Sequence, residues 1–206
     1  MFVIGLTGGI GTGKSEGSDI LGNLGAAVIN ADLIGHEAYL PQTKTWKTII
    51  DKFGTDILAS DSTVDRKKLG SIVFGDPSRL AVLNSIMFPA IYELIKGRIS
   101  GFEELGWSVV VVEAALFIEA KWNSLADEIW VTIASESVVI ERIKKRNNLG
   151  EQAIKARIES QMPEDERLKH ADAHIQNDLG LDQLRKQVEK IWETSIPSTK
   201  ENRAKT

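Results

Sequence analysis

The sequence predicts an α/β fold in which a parallel sheet is flanked by helices, with an inserted helical lobe and a helical lid. Three observations lead there. Short apolar, β-branched runs alternate with longer stretches of helical periodicity, the pattern of a parallel sheet with crossover helices. The first such run, Phe2 to Leu6, passes at once into a glycine-rich turn. Residues 41–105 carry helical patterning only, which a sheet domain accommodates as an insertion.

The glycine-rich turn, Gly8-Gly9-Ile10-Gly11-Thr12-Gly13-Lys14-Ser15, fits the pattern G-x-x-x-x-G-K-[ST]. Phosphate binding explains each residue type. A strand must end and a helix begin within a few residues, with backbone N–H groups turned inward around an anion. Side chains would block that approach, and positive φ is cheap only for glycine. Gly8 to Ser15 are therefore assigned to nucleotide phosphates. Lys14 reaches the β- and γ-phosphates, the Ser15 hydroxyl ligates Mg²⁺, and the helix beginning near Gly13 adds its positive dipole end. This makes the predicted fold one of P-loop NTPase type. An ordinary glycine turn is the weaker reading, because the motif follows the short strand its context requires. Glu16, Gly17 and Gly22 weaken the next helix, since Gly costs about 1 kcal/mol relative to Ala in a helix interior.

Composition narrows the classes. With 206 residues, the chain is one domain or one core with an inserted lobe. Its 42% apolar and 26% charged content is that of a soluble globular protein. No apolar run approaches 18 residues, so no transmembrane helix is expected. The first strand begins at Phe2, which leaves no room for a signal or transit peptide and predicts a cytoplasmic location. The absence of cysteine excludes disulfides, thiolate chemistry and Cys-based zinc sites. A net charge of −4 argues against nucleic acid as a partner. His36, His170 and His174 form no convincing ligand set. Residues 196–206 read as a polar, frayed tail.

Along the chain, Ala26 to Ile29 form a second strand, followed by Asn30-Ala31-Asp32. Asp32 falls at a strand's carboxyl end, where α/β folds bind ligands. Two readings stand side by side: a carboxylate that takes a proton from an acceptor hydroxyl, or the N-cap of the helix beginning near Leu33. In the lobe, Trp46, Ile49, Ile50 and Phe53 keep helical spacing and Gly54 closes the helix. Asp76-Pro77 opens a long helical stretch through Ile99, interrupted at Pro89. Such a lobe either holds an acceptor substrate or only covers the sheet. Ser108 to Val112 suit a buried central strand, with Glu113 at its end. Glu113 reads as a Walker B-like ligand for Mg²⁺ or as a solvated strand end, and Glu119 as a local partner.

Glu128 to Ile133 make another strand, after which Ser135 caps a helix carrying Arg142, Lys144, Lys145 and Arg146. Asn147 to Gly150 break it, and a second helix carries Lys155, Arg157 and Gln161. Between Glu141 and Arg157 stand six basic and two acidic residues, a local +4 in a chain of −4. This is a basic lid over a triphosphate or a solvated hairpin. Arg142 and Arg146 favour the first reading because Arg contacts phosphate bidentately, and the lysines favour the second. Ala173 to Asn177 form a last strand, and Leu181, Leu184, Val188 and Trp192 mark a closing amphipathic helix whose stripe reads as core packing.

These residues carry a family resemblance. Leu6 to Ser15, Val28-Ile-Asn-Ala-Asp32, Asp65-Arg-Lys-Lys-Leu69, Glu113-Ala-Ala-Leu-Phe-Ile-Glu119 and Lys144-Lys-Arg-Asn147 together resemble dephospho-CoA kinase. Further matching stretches are Gly35-His-Glu-Ala-Tyr39, Phe53-Gly-Thr-Asp-Ile57 and Ala156-Arg-Ile-Glu-Ser-Gln161, in order over residues 2–193. The version looks closest to the kinase domain of bifunctional eukaryotic CoA synthase, which implies an adenylyltransferase domain as a partner in a full-length protein. The resemblance implies that ATP, with Mg²⁺, phosphorylates the ribose 3′-hydroxyl of dephospho-CoA. It implies Lys14 and Ser15 at triphosphate and Mg²⁺, Asp32 as catalytic base, and Arg142 and Arg146 at phosphates. It also implies three parts: a nucleotide core (1–40 and 106–195), a CoA lobe (41–105) and a lid (about 144–168). Asn30 stands where the family often has an aspartate, and Phe88-Pro89 and Ala115 depart from the bacterial pattern. Two alternatives remain: another small-molecule P-loop kinase, acting on nucleosides or nucleotides, or a nucleotide-binding relative without turnover.

Overall fold

The computed structural model describes residues 1–147 and 149–196. In chain order the elements are β1 (Phe2–Gly8), α1 (Lys14–Asn23), β2 (Ala27–Asn30), α2 (Ala31–Glu37), α3 (Lys44–Phe53), α4 (Arg66–Val73) and α5 (Pro77–Glu104). There follow β3 (Val109–Glu113), β4 (Glu128–Ile133), α6 (Glu136–Asn147), α7 (Glu151–Glu159), α8 (Glu164–Leu168), β5 (Ala173–Gln176) and α9 (Leu181–Ser195). The chain divides into two compact units, Asn30–Gly101 and the remainder.

The remainder is built on a five-stranded sheet in the order β2-β3-β1-β4-β5. β1 is central and runs parallel to β3 and β4, and β4 runs parallel to β5. A central strand of a parallel sheet is covered on both faces, so it reads as a continuous apolar run, and Val109 to Val112 are all buried. Ile4, Leu6, Val109, Val111, Trp130 and Ile175 pack with Ile20 and Leu21 of α1 and with Leu184 and Val188 of α9. Because these strands run the same way, Gly8, Glu113, Ile133 and Gln176 all end at one edge. A smaller cluster of Ala134, Val139, Ile143 and Ile154 joins α6 to α7, and Ile10 packs against it.

The unit Asn30–Gly101 has its own core of Ile49, Phe53, Ile57, Val64, Leu69 and Val73. Side-chain caps start its helices. Asn30 Oδ1 accepts from Leu33 N–H at 3.1 Å, Thr43 Oγ1 from Trp46 N–H at 3.1 Å, and Asp65 Oδ1 from Lys67 N–H at 2.9 Å. Asp76 Oδ1 accepts from Ser78 N–H at 2.9 Å, ahead of Pro77 at the first helical position. A single antiparallel bridge, Leu58 to Val64, interrupts the helical pattern.

Five local expectations change. Pro89 does not break the long helix, since α5 runs through it for 28 residues. Proline removes one intrahelical bond, and the turns on either side carry the helix across. That length also makes α5 long and apolar enough for a membrane span on composition, although Pro89, Glu93 and Lys96 lie within it and this alone shows no span. Gln161 lies beyond the end of α7 rather than on it. Leu181 is exposed, so the buried stripe of α9 begins at Leu184. Ile196 belongs to the core, not to a tail, and residues 197–206 lie outside the described residues.

The α9 register has a direct test. Leu184→Ala is expected to cost about 2–5 kcal/mol in urea unfolding, as for a buried leucine. Leu181→Ala is expected to stay within about 0.5 kcal/mol, as for an exposed site.

Candidate active site

β1 ends at Gly8 and α1 begins at Lys14, so the turn between them has only five residues. Gly13 takes left-handed backbone (φ 96°) and provides no side-chain cap for α1. The loop is fixed from behind. Thr12 Oγ1 donates to Gly9 O at 2.8 Å and lies 2.8 Å from Thr132 Oγ1, which in turn lies 3.3 Å from Thr7 O. Asn177 Nδ2 donates to Thr12 O at 3.0 Å. These approaches explain two glycines. A Cβ at Gly8 would fall into Thr132, and one at Gly13 into the Asn177 amide. Lys14 Nζ lies across the start of the loop, donating to Gly8 O at 2.9 Å and Gly9 O at 3.2 Å.

Ser15 Oγ donates to Glu113 Oε1 at 2.8 Å. The parallel register sets Glu113, 6% exposed, beside Leu6 at the end of β3, which places it within reach of the first turn of α1. A hydroxyl and a carboxylate oxygen in contact are hard donors of the kind that would suit Mg²⁺. The two residues expected to bind the ion are thus adjacent. Glu16 is exposed in the first turn of α1, where a negative charge is favoured by the helix dipole.

Arg142 also meets the loop. Its Nη1 donates to Gly11 O at 3.4 Å and its Nη2 to Asn177 Oδ1 at 3.1 Å. Arg146 does not, because it stands one turn further along α6, exposed, with Nε donating to Asn147 Oδ1. Lys144, Lys145 and Lys155 form exposed ion pairs with Glu151 and Glu141, as solvated lysines do. Past α7, Gln161 Oε1 accepts the N–H of Ile10 at 2.8 Å. At the β4 end, Asp178 Oδ1 accepts from Ser135 N–H at 2.7 Å, a bond that holds its carboxyl below the usual range.

In the other unit, Asp32 sits exposed in the first turn of α2. The capping reading of Asp32 is overturned: Asn30 caps the helix through the Leu33 amide. His36, one turn later, feels both Asp32 and Arg66. Burial and then Arg66 lower its pKa, and Asp32 opposes them. Three stretches carrying the resemblance therefore meet electrostatically around one imidazole.

Sequence reasoning missed Thr132, Gln161, Asn177 and Arg167. Two had a usable signal. Thr132 is a polar residue in an apolar strand, and Asn177 follows a strand's carboxyl end as Asp32 does. Gln161 and Arg167 fell within the expected lid, and Gln161 within a stretch carrying the resemblance, but only the path of the chain after α7 shows that they return to the loop.

A sheet whose central strand runs into such a loop, with Lys14 across it and Ser15 joined to a strand-end carboxylate, defines the class as P-loop kinases. Comparison narrows the class. The family model described as Dephospho-CoA kinase matches residues 2–183, and the chain belongs to that family of ATP-dependent kinases. Dephospho-CoA kinase of Carboxydothermus hydrogenoformans is 41% identical over 186 residues, 90% of each chain. Among solved structures, a Thermus thermophilus protein superposes with TM-score 0.78 at 26% identity, covering 94% of this chain and 97% of that one. Dephospho-CoA kinase from Campylobacter jejuni does so with TM-score 0.69 at 29% identity, covering 94% and 96%. These bacterial relatives are matched over 90–97% of their own length, so they lend no support to the finer likeness to the eukaryotic synthase or to an adenylyltransferase partner domain.

Asn177→Ala removes the bonds to Thr12 and Arg142 together. It is expected to destabilise by about 1–3 kcal/mol and to raise the Kd for ATP several-fold. Denaturation with and without a non-hydrolysable ATP analogue measures both, and an unchanged Kd would count against Asn177 as a support of the loop.

Proposed function

We propose that this chain transfers the γ-phosphate of ATP to the ribose 3′-hydroxyl of dephospho-CoA, giving CoA and ADP. The observation that carries this reading is the family match, which runs through the phosphate loop, Asp32, Glu113 and the α6–α7 hairpin.

Each residue receives a role. The acceptor 3′-oxygen attacks the γ-phosphorus, the bond from that phosphorus to the β,γ-bridging oxygen breaks, and ADP leaves. Asp32 is the base that orients the hydroxyl and accepts its proton, and its exposed carboxylate is consistent with that role. The N–H groups of Gly9 to Ser15 bind the phosphates. Lys14 and Arg142 offset charge on the transferring group. Ser15 and Glu113 would hold Mg²⁺ directly or through water, and the ion would supply neutralisation of phosphate charge. Arg146 is assigned to phosphate when the lid, about 144–168, closes. The lobe 41–105 holds the CoA portion, beside a nucleotide core of 1–40 and 106–195. The cytoplasm is the proposed location, on sequence expectation.

ADP release from Mg-ATP, measured with dephospho-CoA, adenosine, AMP or no acceptor, tests the reading. Turnover with dephospho-CoA alone and CoA as product is the expected result. Turnover with a nucleoside or nucleotide instead would assign the site to another small-molecule kinase. ATP binding without turnover would leave a non-catalytic relative. Asp32→Asn is expected to lower kcat by about 10²–10⁴-fold with ATP binding retained, and near-normal turnover would remove its role as base. Lys14→Ala is expected to abolish most ATP use, and unchanged kinetics would remove the phosphate-loop role.

A further inference from the structure

One buried cation beside the loop has incomplete partners. Arg167, in α8, is 4% exposed. Its Nη2 donates to Met162 O at 2.9 Å and lies 4.0 Å from Glu119 Oε1, too far for a charge-assisted hydrogen bond. Its Nε is buried without a partner, and so is Glu119 Oε2. A settled structural ion pair would close that gap, because removing charges from water is offset only by good geometry and satisfied hydrogen bonds.

The guanidinium sits at Gly9. An added Cβ there would lie 3.6 Å from Arg167 Nη1 and 3.5 Å from Gln161 Oε1, which is ordinary contact. Packing of a methyl group is thus permitted, and anything larger would fill the corner between Arg167 and the loop. Gly9 O also takes Lys14 Nζ at 3.2 Å. Two cations therefore converge on Gly9, and the lysine of such a loop serves the β- and γ-phosphates. The other end of the loop, Gly13, faces the start of α1 and the Asn177 amide.

We propose that Arg167 is a further catalytic residue whose Nη1, seated at Gly9, contacts the terminal phosphoryl group of ATP, with Glu119 as its positioning residue. The inference rests on the phosphotransfer reading above and adds a residue to it. While the γ-phosphorus exchanges the bridging oxygen for the acceptor oxygen, charge spreads over its three other oxygens, and a planar guanidinium meets two of them at once. Ligand contact turns the guanidinium and draws Glu119 into a direct pair, which satisfies the two orphaned atoms.

The binding comparison separates a phosphate contact from a structural pair without needing an acceptor, and kcat is added with dephospho-CoA. Kd values for ADP and for β,γ-imido-ATP are measured for the wild type, Arg167→Met, Arg167→Lys and Glu119→Gln, with thermal midpoints and kcat. Arg167→Met is expected to bind ADP within about 2-fold of wild type but imido-ATP at least about 10-fold more weakly, as loss of a charged hydrogen bond predicts. Its kcat is expected to fall about 100-fold or more, with partial recovery in Arg167→Lys and a smaller loss in Glu119→Gln. Equal weakening of ADP and imido-ATP with a lowered midpoint would overturn the proposal, and so would unchanged imido-ATP binding. If Arg167→Met fails to fold, Arg167→Lys and Glu119→Gln decide: an imido-ATP to ADP ratio equal to wild type in both overturns it. A wild type inactive with dephospho-CoA, with the variants still showing the expected ratio shift against it, would overturn only the acceptor assignment.

Discussion

Backbone amides can wrap a phosphate only where side chains are absent, and a backbone stripped of side chains needs support from outside itself. That constraint organises the nucleotide unit. Thr132 from β4 braces Thr12 and lies near the Thr7 carbonyl, Asn177 past β5 holds Thr12 and Arg142, and Gln161 holds the amide of Ile10. The Ile10 side chain packs into the α6–α7 cluster. Each support comes from a different part of the chain, and Thr132 and Asn177 approach so closely that glycine is required at Gly8 and Gly13.

The sheet makes this convergence possible. Parallel strands end at a common edge, and the order β2-β3-β1-β4-β5 puts the loop-bearing strand between the strands that carry Glu113 and Thr132. The valine run of β3 serves the same end, since it buries the middle of the sheet and leaves a single acid at its terminus. Electrostatics then divides the basic residues. Lys144, Lys145 and Lys155 pair with Glu151 and Glu141 at the surface, while Arg142 and Arg167 are turned inward.

Local signals made much of this legible. The loop motif, strand β4, the cap-and-proline start of α5 and the α3 stripe were all written in residues close together, where periodicity and turn chemistry act. Ser15 and Glu113 were each readable as ion ligands, and the fold joins them at 2.8 Å. What escaped reading depends on contacts across more than a hundred residues. Gln161 and Ile10 are 151 apart, Asn177 and Thr12 are 165 apart, and no spacing rule links such pairs. Leu181 and Pro89 misled for the opposite reason: local pattern suggested burial and breakage, but Leu181 lies outside the core and the turns flanking Pro89 carry the helix across. Asn30, which stood out against the family pattern, has a local explanation as a helix cap.

The central place of β1 also bears on how the chain matures on the ribosome. β1 is made before both of its neighbours, which arrive only with residues 109–113 and 128–133, and the last brace of its loop arrives only with Asn177. Contacts so distant in sequence form late and slowly. During synthesis β1 therefore waits, apolar and without either neighbour, until those later residues emerge. An apolar strand left without its neighbours in this way is prone to misassociation until they pair with it.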